Sequence, residues 1–149
     1  FMKYIPISYY KQLIYKGIPN IFFGTITSTI VIAFIYILAK PSLLFLLTVF
    51  IINLILLILQ TLLMELVDLR KPKLEWTTEY AVVKQNLNLL WPVVLNLLEI
   101  GIIFIISILL NFTNYLLTAI ILIVIHIIIT YFVNKYMYKN QNELFNKIG

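Results

Sequence analysis

Long apolar runs without a single charge constrain this chain more than any other feature of its sequence. Residues 18–39 and 42–64 contain no Asp, Glu, Lys or Arg. Each run is long enough to cross the roughly 30 Å hydrocarbon core of a bilayer as a helix. Hydrophobic residues make up 62% of the 149 residues and charged residues 11%, and a soluble fold could not bury so much apolar surface. The composition therefore excludes a soluble globular enzyme, a disordered chain and a nucleic-acid-binding domain, and it predicts an integral membrane protein.

Two further apolar runs follow in the second half of the chain. Residues 87–110 contain one acid, Glu99, and residues 116–134 contain none. All four runs are continuous rather than alternating and are about twice as long as a barrel strand, which favours helices. We therefore predict an all-α membrane protein with four transmembrane helices. The predicted divisions are an interfacial segment (1–17), two spans (18–39 and 42–66), a loop with a short helix (67–86), two further spans (87–110 and 116–134) and a tail (135–149).

The basic residues indicate how the spans are oriented. Ten of the eleven Lys and Arg residues lie before the first span, in the long loop or in the tail, and Lys40 alone lies on the other side. Positively charged segments remain on the cytoplasmic side of a membrane. We therefore expect both termini and the long loop to be cytoplasmic in a multi-pass protein of the cell membrane. The net charge of +5 then belongs to a membrane face, and no nucleic-acid partner is expected.

Three polar residues lie inside the third and fourth spans, where a charge is costly and is usually paired or functional. Asn96 and Glu99 share one face of the third span, and His126 lies near the middle of the fourth. Glu99 lies 14 residues before Thr113 and His126 lies 13 residues after it, so two antiparallel helices would bring them to the same depth. We predict a Glu99–His126 pair. It could act as a proton relay or substrate contact, or simply hold two helices together, as interhelical polar contacts commonly do.

The first two spans carry milder polar features. Gly24 and Ser28 form a small-xxx-small face that suits close helix packing. Asn53 and Gln60 share one face of the second span and could donate hydrogen bonds to neighbouring helices. Ordinary bundle packing explains all of these positions. Glu65 and Asp68 lie at the cytoplasmic end of the second span, where they are expected to reach water.

The segment before the first span predicts a short interfacial helix. Pro6 breaks any helix that enters from upstream, Ser8 is a plausible N-cap, and Gly17 is a plausible stop. Such a basic, aromatic helix could anchor the chain to the membrane surface or dock a partner. In the long loop, Thr77 or Thr78 can cap another short helix.

Two short motifs resemble those of bacterial ATP-binding-cassette exporter permeases of the type-2 class. The first is Lys3-x-x-Pro6-Ile7-Ser8 before a span, with Ile5 where Leu is commoner in that family. The second is Asp68-Leu69-x-x-Pro72-Lys73-Leu74-x-Trp76, followed by Ala81-Val82-Val83-Lys84-Gln85-Asn86. The resemblance implies the C-terminal part of a longer permease, a reading that fits a chain beginning at Phe1.

The resemblance also implies partners for the chain. They are the remaining permease spans, membrane lipid and a separate ATPase subunit that binds the ATP. The chain itself has no glycine-rich phosphate loop, and we expect no enzymatic activity, cofactor or metal in it. The candidate ATPase contacts implied by the motifs are Pro6, Ile7, Ser8, Asp68, Arg70, Pro72 and Trp76.

Two other functions remain open at this point. A stand-alone four-span interaction or sensor protein would have the same spans, and a lone histidine titrates in the range that a sensor needs. An intramembrane enzyme would have to rely on Glu99 and His126. That pair lacks a nucleophile, a metal cluster or a second carboxylate, so it does not make a catalytic set.

Overall fold

The computed structural model describes residues 6–70, 90–110 and 114–146, and this part of the chain is almost entirely helical. Four of its helices are long and apolar enough to cross a membrane, which confirms the predicted all-α architecture. The predicted loop helix, together with Pro72 and Trp76, lies outside the described residues. The helices are α1 (Tyr9–Ala39), α2 (Leu43–Arg70), α3 (Trp91–Leu109), α4 (Tyr115–Lys139) and the short α5 (Gln141–Asn146).

The four long helices alternate in direction, and α2 packs between α1 and α4. Arg70, at the end of α2, donates to the Tyr136 hydroxyl near the end of α4 at 2.9 Å. Phe45, near the start of α2, meets Tyr115 at the start of α4 with ring centres 5.6 Å apart. The bundle therefore has an α5 end, where α1 starts and α2 and α4 finish, and an opposite turn end.

A compact apolar cluster closes the α5 end. The Tyr9 ring stacks on Phe145 with ring centres 4.3 Å apart. Within residues 135–149, which are predicted as a tail, α4 continues to Lys139 and α5 then folds back. Both helices form because they bury apolar side chains that a solvated tail would expose. The buried members of the cluster are Leu13, Leu62, Leu69, Met137, Leu144 and Phe145.

The first helix does not stop at Gly17 as predicted. It runs without a break from Tyr9 to Ala39. A Cβ atom on Gly17 would lie 2.8 Å from Thr61 Cγ2. The glycine therefore allows α1 and α2 to approach closely, and it does not end the helix. Ser8 does occupy the N-cap position, but its side chain makes no capping hydrogen bond.

A tight turn at Lys40 reverses the chain between α1 and α2. Lys40 adopts the left-handed conformation, with φ 47° and ψ 47°, and its N–H donates to Tyr36 O at 3.0 Å. This is a common way for a helix to end. Ser42 Oγ then accepts from Phe45 N at 3.3 Å and satisfies one donor of the first turn of α2.

A ladder of contacts at every fourth residue joins α1 to α2. The Asn20 amide donates to Thr61 Oγ1 at 2.7 Å, and Gly24 lies against the Leu57 side chain. Because residues four apart share one helix face, the ladder fixes the register of the whole interface. The two members of each rung lie equally far from the Lys40–Pro41 turn, and the rungs are Lys16–Glu65, Asn20–Thr61, Gly24–Leu57 and Ser28–Asn53.

Candidate intramembrane polar site

The structure brings Glu99 and His126 together, which confirms the predicted pair. His126 Nε2 lies 2.9 Å from Glu99 Oε2. The side chain of His126 is 2% exposed and that of Glu99 is 14% exposed. The two residues join α3 to α4 near the middle of both helices. An acid and an imidazole at this depth are expensive to bury unless each satisfies the other.

Two contacts fix the orientation of the His126 ring. The Nδ1 atom faces the carbonyl oxygen of Leu122 on its own helix, and because a carbonyl can only accept, Nδ1 is the donor in that contact. The Nε2 atom on the other side of the ring faces the Glu99 carboxyl on α3.

Asn96 lies on the same face of α3 and meets α2. Its Oδ1 accepts from the Gln60 amide at 2.8 Å. None of residues 91–109 is buried, so α3 is attached mainly through its polar face rather than through an apolar one. Asn53 differs from Gln60, because its amide donates to Ser28 Oγ on α1 at 2.6 Å. Although Asn53 and Gln60 lie on the same face of α2, they therefore bond to different helices, Asn53 to α1 and Gln60 to α3.

The described candidate contacts for an ATPase all lie at the α5 end. Pro6, Ile7 and Ser8 precede α1 and are exposed, and Ile7 O accepts from the Gln12 amide at 3.0 Å. Asp68 lies 3.5 Å from the Lys16 ammonium. The Arg70 guanidinium bonds Tyr136 and lies 5.2 Å from the centre of its ring.

Lys16 was missed as a site residue, although it bridges two acids on α2. Its Nζ lies 3.0 Å from Glu65 Oε2, and the Glu65 side chain is only 11% exposed. Glu65 was expected to reach water and instead pairs with Lys16 in a buried position. The sequence did contain a signal, because Lys16 and Glu65 are equally distant from the Lys40–Pro41 turn and must meet in an antiparallel hairpin.

Two cavities lie between the helices. The turn-end cavity, of about 430 Å³, lies between α2, α3 and α4, and its polar lining includes Asn53, Ser107 and Thr118. The inner cavity, of about 280 Å³, lies between α1, α2 and α4, and its lining includes Glu65 and Thr130. The Glu99–His126 pair lies between the levels of the two cavities.

The described residues show how the helices and the polar pair are arranged, but they identify no protein family. Among residues 6–70, 90–110 and 114–146, no three His, Cys, Asp or Glu side chains gather to hold a metal ion. Of the four potential membrane-crossing helices, α3 and α4 are joined by one acid–imidazole pair near their middles. No family model matches the chain, and no curated protein or solved structure is similar to it.

Proposed function

We propose that the chain is the transmembrane part of an ATP-driven export permease. It would meet a separate ATPase subunit at the α5 end, which would be its cytoplasmic face. The observation that carries the proposal is the clustering of motif residues. Pro6, Ile7 and Ser8 before α1, and Asp68 and Arg70 at the end of α2, come from distant parts of the sequence and share one end of the bundle.

The contacts at this end suit a coupling surface. Lys16 and Asp68 tie the start of α1 to the end of α2, and Arg70 ties α2 to α4. A partner that moved the end of α2 would therefore pull on both α1 and α4. The turn-end cavity, with hydroxyl and amide groups among apolar walls, is the corresponding candidate for a stretch of the transport pathway.

A capture experiment tests the proposal. The chain, with whatever spans its reading frame encodes upstream, is co-expressed with the ATPase encoded beside it and purified from the membrane. We expect the ATPase to co-purify and to be lost when Pro6, Ile7 and Ser8 are all replaced by Ala. A matched control replaces Lys40, Pro41 and Ser42, which also include a proline and a serine but lie at the turn end. Equal capture by both triple variants would contradict the coupling role.

The second candidate is a stand-alone membrane sensor or interaction protein. It is favoured by the central pair, since histidine is the side chain that proteins most often use as a pH switch. A reading frame that starts at Met2, with no ATPase encoded nearby, would support this candidate over the permease.

A further inference from the structure

A lateral groove of mostly apolar residues lies between α2 and α4. It is about 290 Å³ in volume and is lined by no charged side chain of the described residues. Ile58 and Ile127 in its lining are 40% and 53% exposed, so the groove opens on the side of the bundle, where a bilayer presents hydrocarbon. The lining residues are Ile55, Ile58, Ile127, Thr130 and Tyr131.

An aromatic ring and a cation stand at the end of the groove that is nearer to α5. Tyr131 is the last lining residue along α4, and Lys135 lies one turn beyond it. The Lys135 ammonium is 5.7 Å from the centre of the Tyr131 ring, a distance at which a cation is attracted to a ring face. Both side chains are exposed. The ring and the cation are therefore open to a molecule that approaches from the side of the bundle.

Lys135 also lies at the depth where lipid phosphate groups begin. It directly follows the uncharged run 116–134, so it marks the point at which the fourth span leaves the hydrocarbon. Tyr131, one turn inside, lies at the level where aromatic rings collect in membrane proteins. The groove continues from there toward the middle of the bilayer, at the level of lipid acyl chains.

The positive charge at this place is not balanced by acids of the described residues. Glu65 and Asp68, the acids at the end of α2, both contact Lys16. Lys135 and Lys139 lie four residues apart on the exposed face of α4, and neither makes an ion pair with a described residue. Like charges at this spacing repel each other. An anion beside the two ammonium groups would remove that repulsion.

We propose that the lateral groove binds one anionic phospholipid, with an acyl chain between α2 and α4 and the phosphate group beside Lys135 and Lys139. Basic residues next to a cleft between membrane helices are a common site for anionic headgroups. A soluble anion or an acidic protein segment would use the two cations alone, and a neutral lipid would use the groove alone. An anionic lipid uses both. The site requires only that the helices cross a membrane, so failure to capture an ATPase would leave it intact.

Photo-cross-linking in a bilayer tests the site on the unmodified chain. The chain is reconstituted in phosphatidylcholine vesicles with a small share of a lipid that carries a diazirine in its acyl chain and either a phosphoglycerol or a phosphocholine headgroup. Adducts are mapped by mass spectrometry after irradiation. We expect the phosphoglycerol lipid to label Ile58 and Ile127 severalfold more than the phosphocholine lipid does.

Ile26 on α1 supplies an internal reference for that measurement. It is 43% exposed, and it lies as far before the Lys40–Pro41 turn as Ile55 lies after it, which puts it at the depth of the groove. It lines neither the groove nor either cavity. The two lipids should therefore label Ile26 equally.

Charge variants then test the headgroup contact. Lys135→Gln should lower phosphoglycerol labelling of Ile127 about fivefold, the effect of removing one cation near an anionic lipid surface. Lys135→Arg keeps the charge and should keep the labelling. The matched control, Lys40→Gln, removes an exposed lysine at the turn end and should change nothing at Ile127.

Three results would overturn the lipid site. The first is equal labelling of Ile127 by the two lipids in the unmodified chain. The second is the same loss of labelling in Lys135→Gln and Lys40→Gln, or no loss in either. The third is displacement of the lipid by inorganic phosphate but not by chloride at the same ionic strength, which would identify a site for soluble anions.

Discussion

The α1–α2 interface and the docking of α3 are built in opposite ways from similarly apolar sequence. Along α1, every fourth residue from Lys16 to Ser28 is small or polar, and glycine lets the helices approach until Gly17 touches Thr61 and Gly24 touches Leu57. Along α3, no residue is buried. Gly101 has nothing among the described residues within 4 Å of where a Cβ would be. α3 is attached to α2 and α4 through Asn96 and Glu99.

The difference shows which interactions determine the helix–helix contacts in a bundle whose helix surfaces are mostly apolar. Because lipid tails are as apolar as leucine, burial alone gives little preference for one helix over another. Close approach at glycine and matched polar pairs then decide the contacts. α1 and α2 use both, whereas α3 relies on polar pairs and leaves its apolar surface for lipid or for further spans.

The largest expected effect compares a leucine from each region. Leu13 on α1 is 2% exposed, whereas Leu97 on α3 is 64% exposed. Leu13→Ala should lower the free energy of unfolding by about 2–5 kcal/mol, through lost contacts and the cavity left behind. Leu97→Ala should change it by less than about 0.5 kcal/mol. Denaturation in mixed micelles measures both, and equal losses would mean that α3 is packed as tightly as α1.

Gly17 on α1 and Gly101 on α3 extend the comparison to smaller changes in the free energy of unfolding. Gly17→Ala forces a methyl group against Thr61, which is held by its bonds to Asn20 and Leu57 O, and should cost about 1–3 kcal/mol. Gly101→Ala adds a methyl group in open space and should stabilise α3 by up to about 1 kcal/mol. The same unfolding measurement applies. If Gly101→Ala proved the more damaging change, another helix would have to pack against α3 in the assembled protein.

The smallest effect concerns the polar attachment of α3. Glu99→Leu should lower the free energy of unfolding by about 0.6–2 kcal/mol, the range of interhelical hydrogen bonds in membranes. It also leaves His126 Nε2 without its partner. Replacing both Glu99 and His126 by Leu should recover much of the loss, because removing both members of a buried pair can be nearly neutral. A double-mutant cycle measures the coupling, and strictly additive losses would show that the contact contributes nothing.

Much of this arrangement follows from simple arithmetic on the sequence. The long apolar runs predict the four helices, and equal spacing about the turn near Thr113 predicts the Glu99–His126 contact. The same symmetry about Lys40–Pro41 would have predicted Lys16–Glu65, but an acid so near the span end was interpreted as solvated. Symmetry works here because antiparallel helices with a short turn have little freedom to slide.

Other features could not be predicted from the sequence, for physical reasons. Gly17 was interpreted as a stop because glycine both ends helices and permits close approach, and only the position of Thr61 distinguishes the two. α5 has six residues, too few to be stable alone in water. It is helical because the Leu144 and Phe145 side chains are buried in the apolar cluster at the α5 end.

One contact at the α5 end bears on the order in which the protein is made. The backbone N–H of Tyr10, in the first turn of α1, donates to Gln141 Oε1 at 3.1 Å, across 131 residues. The first turn of α1 thus acquires this acceptor only after α4 has been synthesised and inserted. During translation, this hydrogen bond and the stacking of Tyr9 on Phe145 can form only after residues 141–146 have been synthesised.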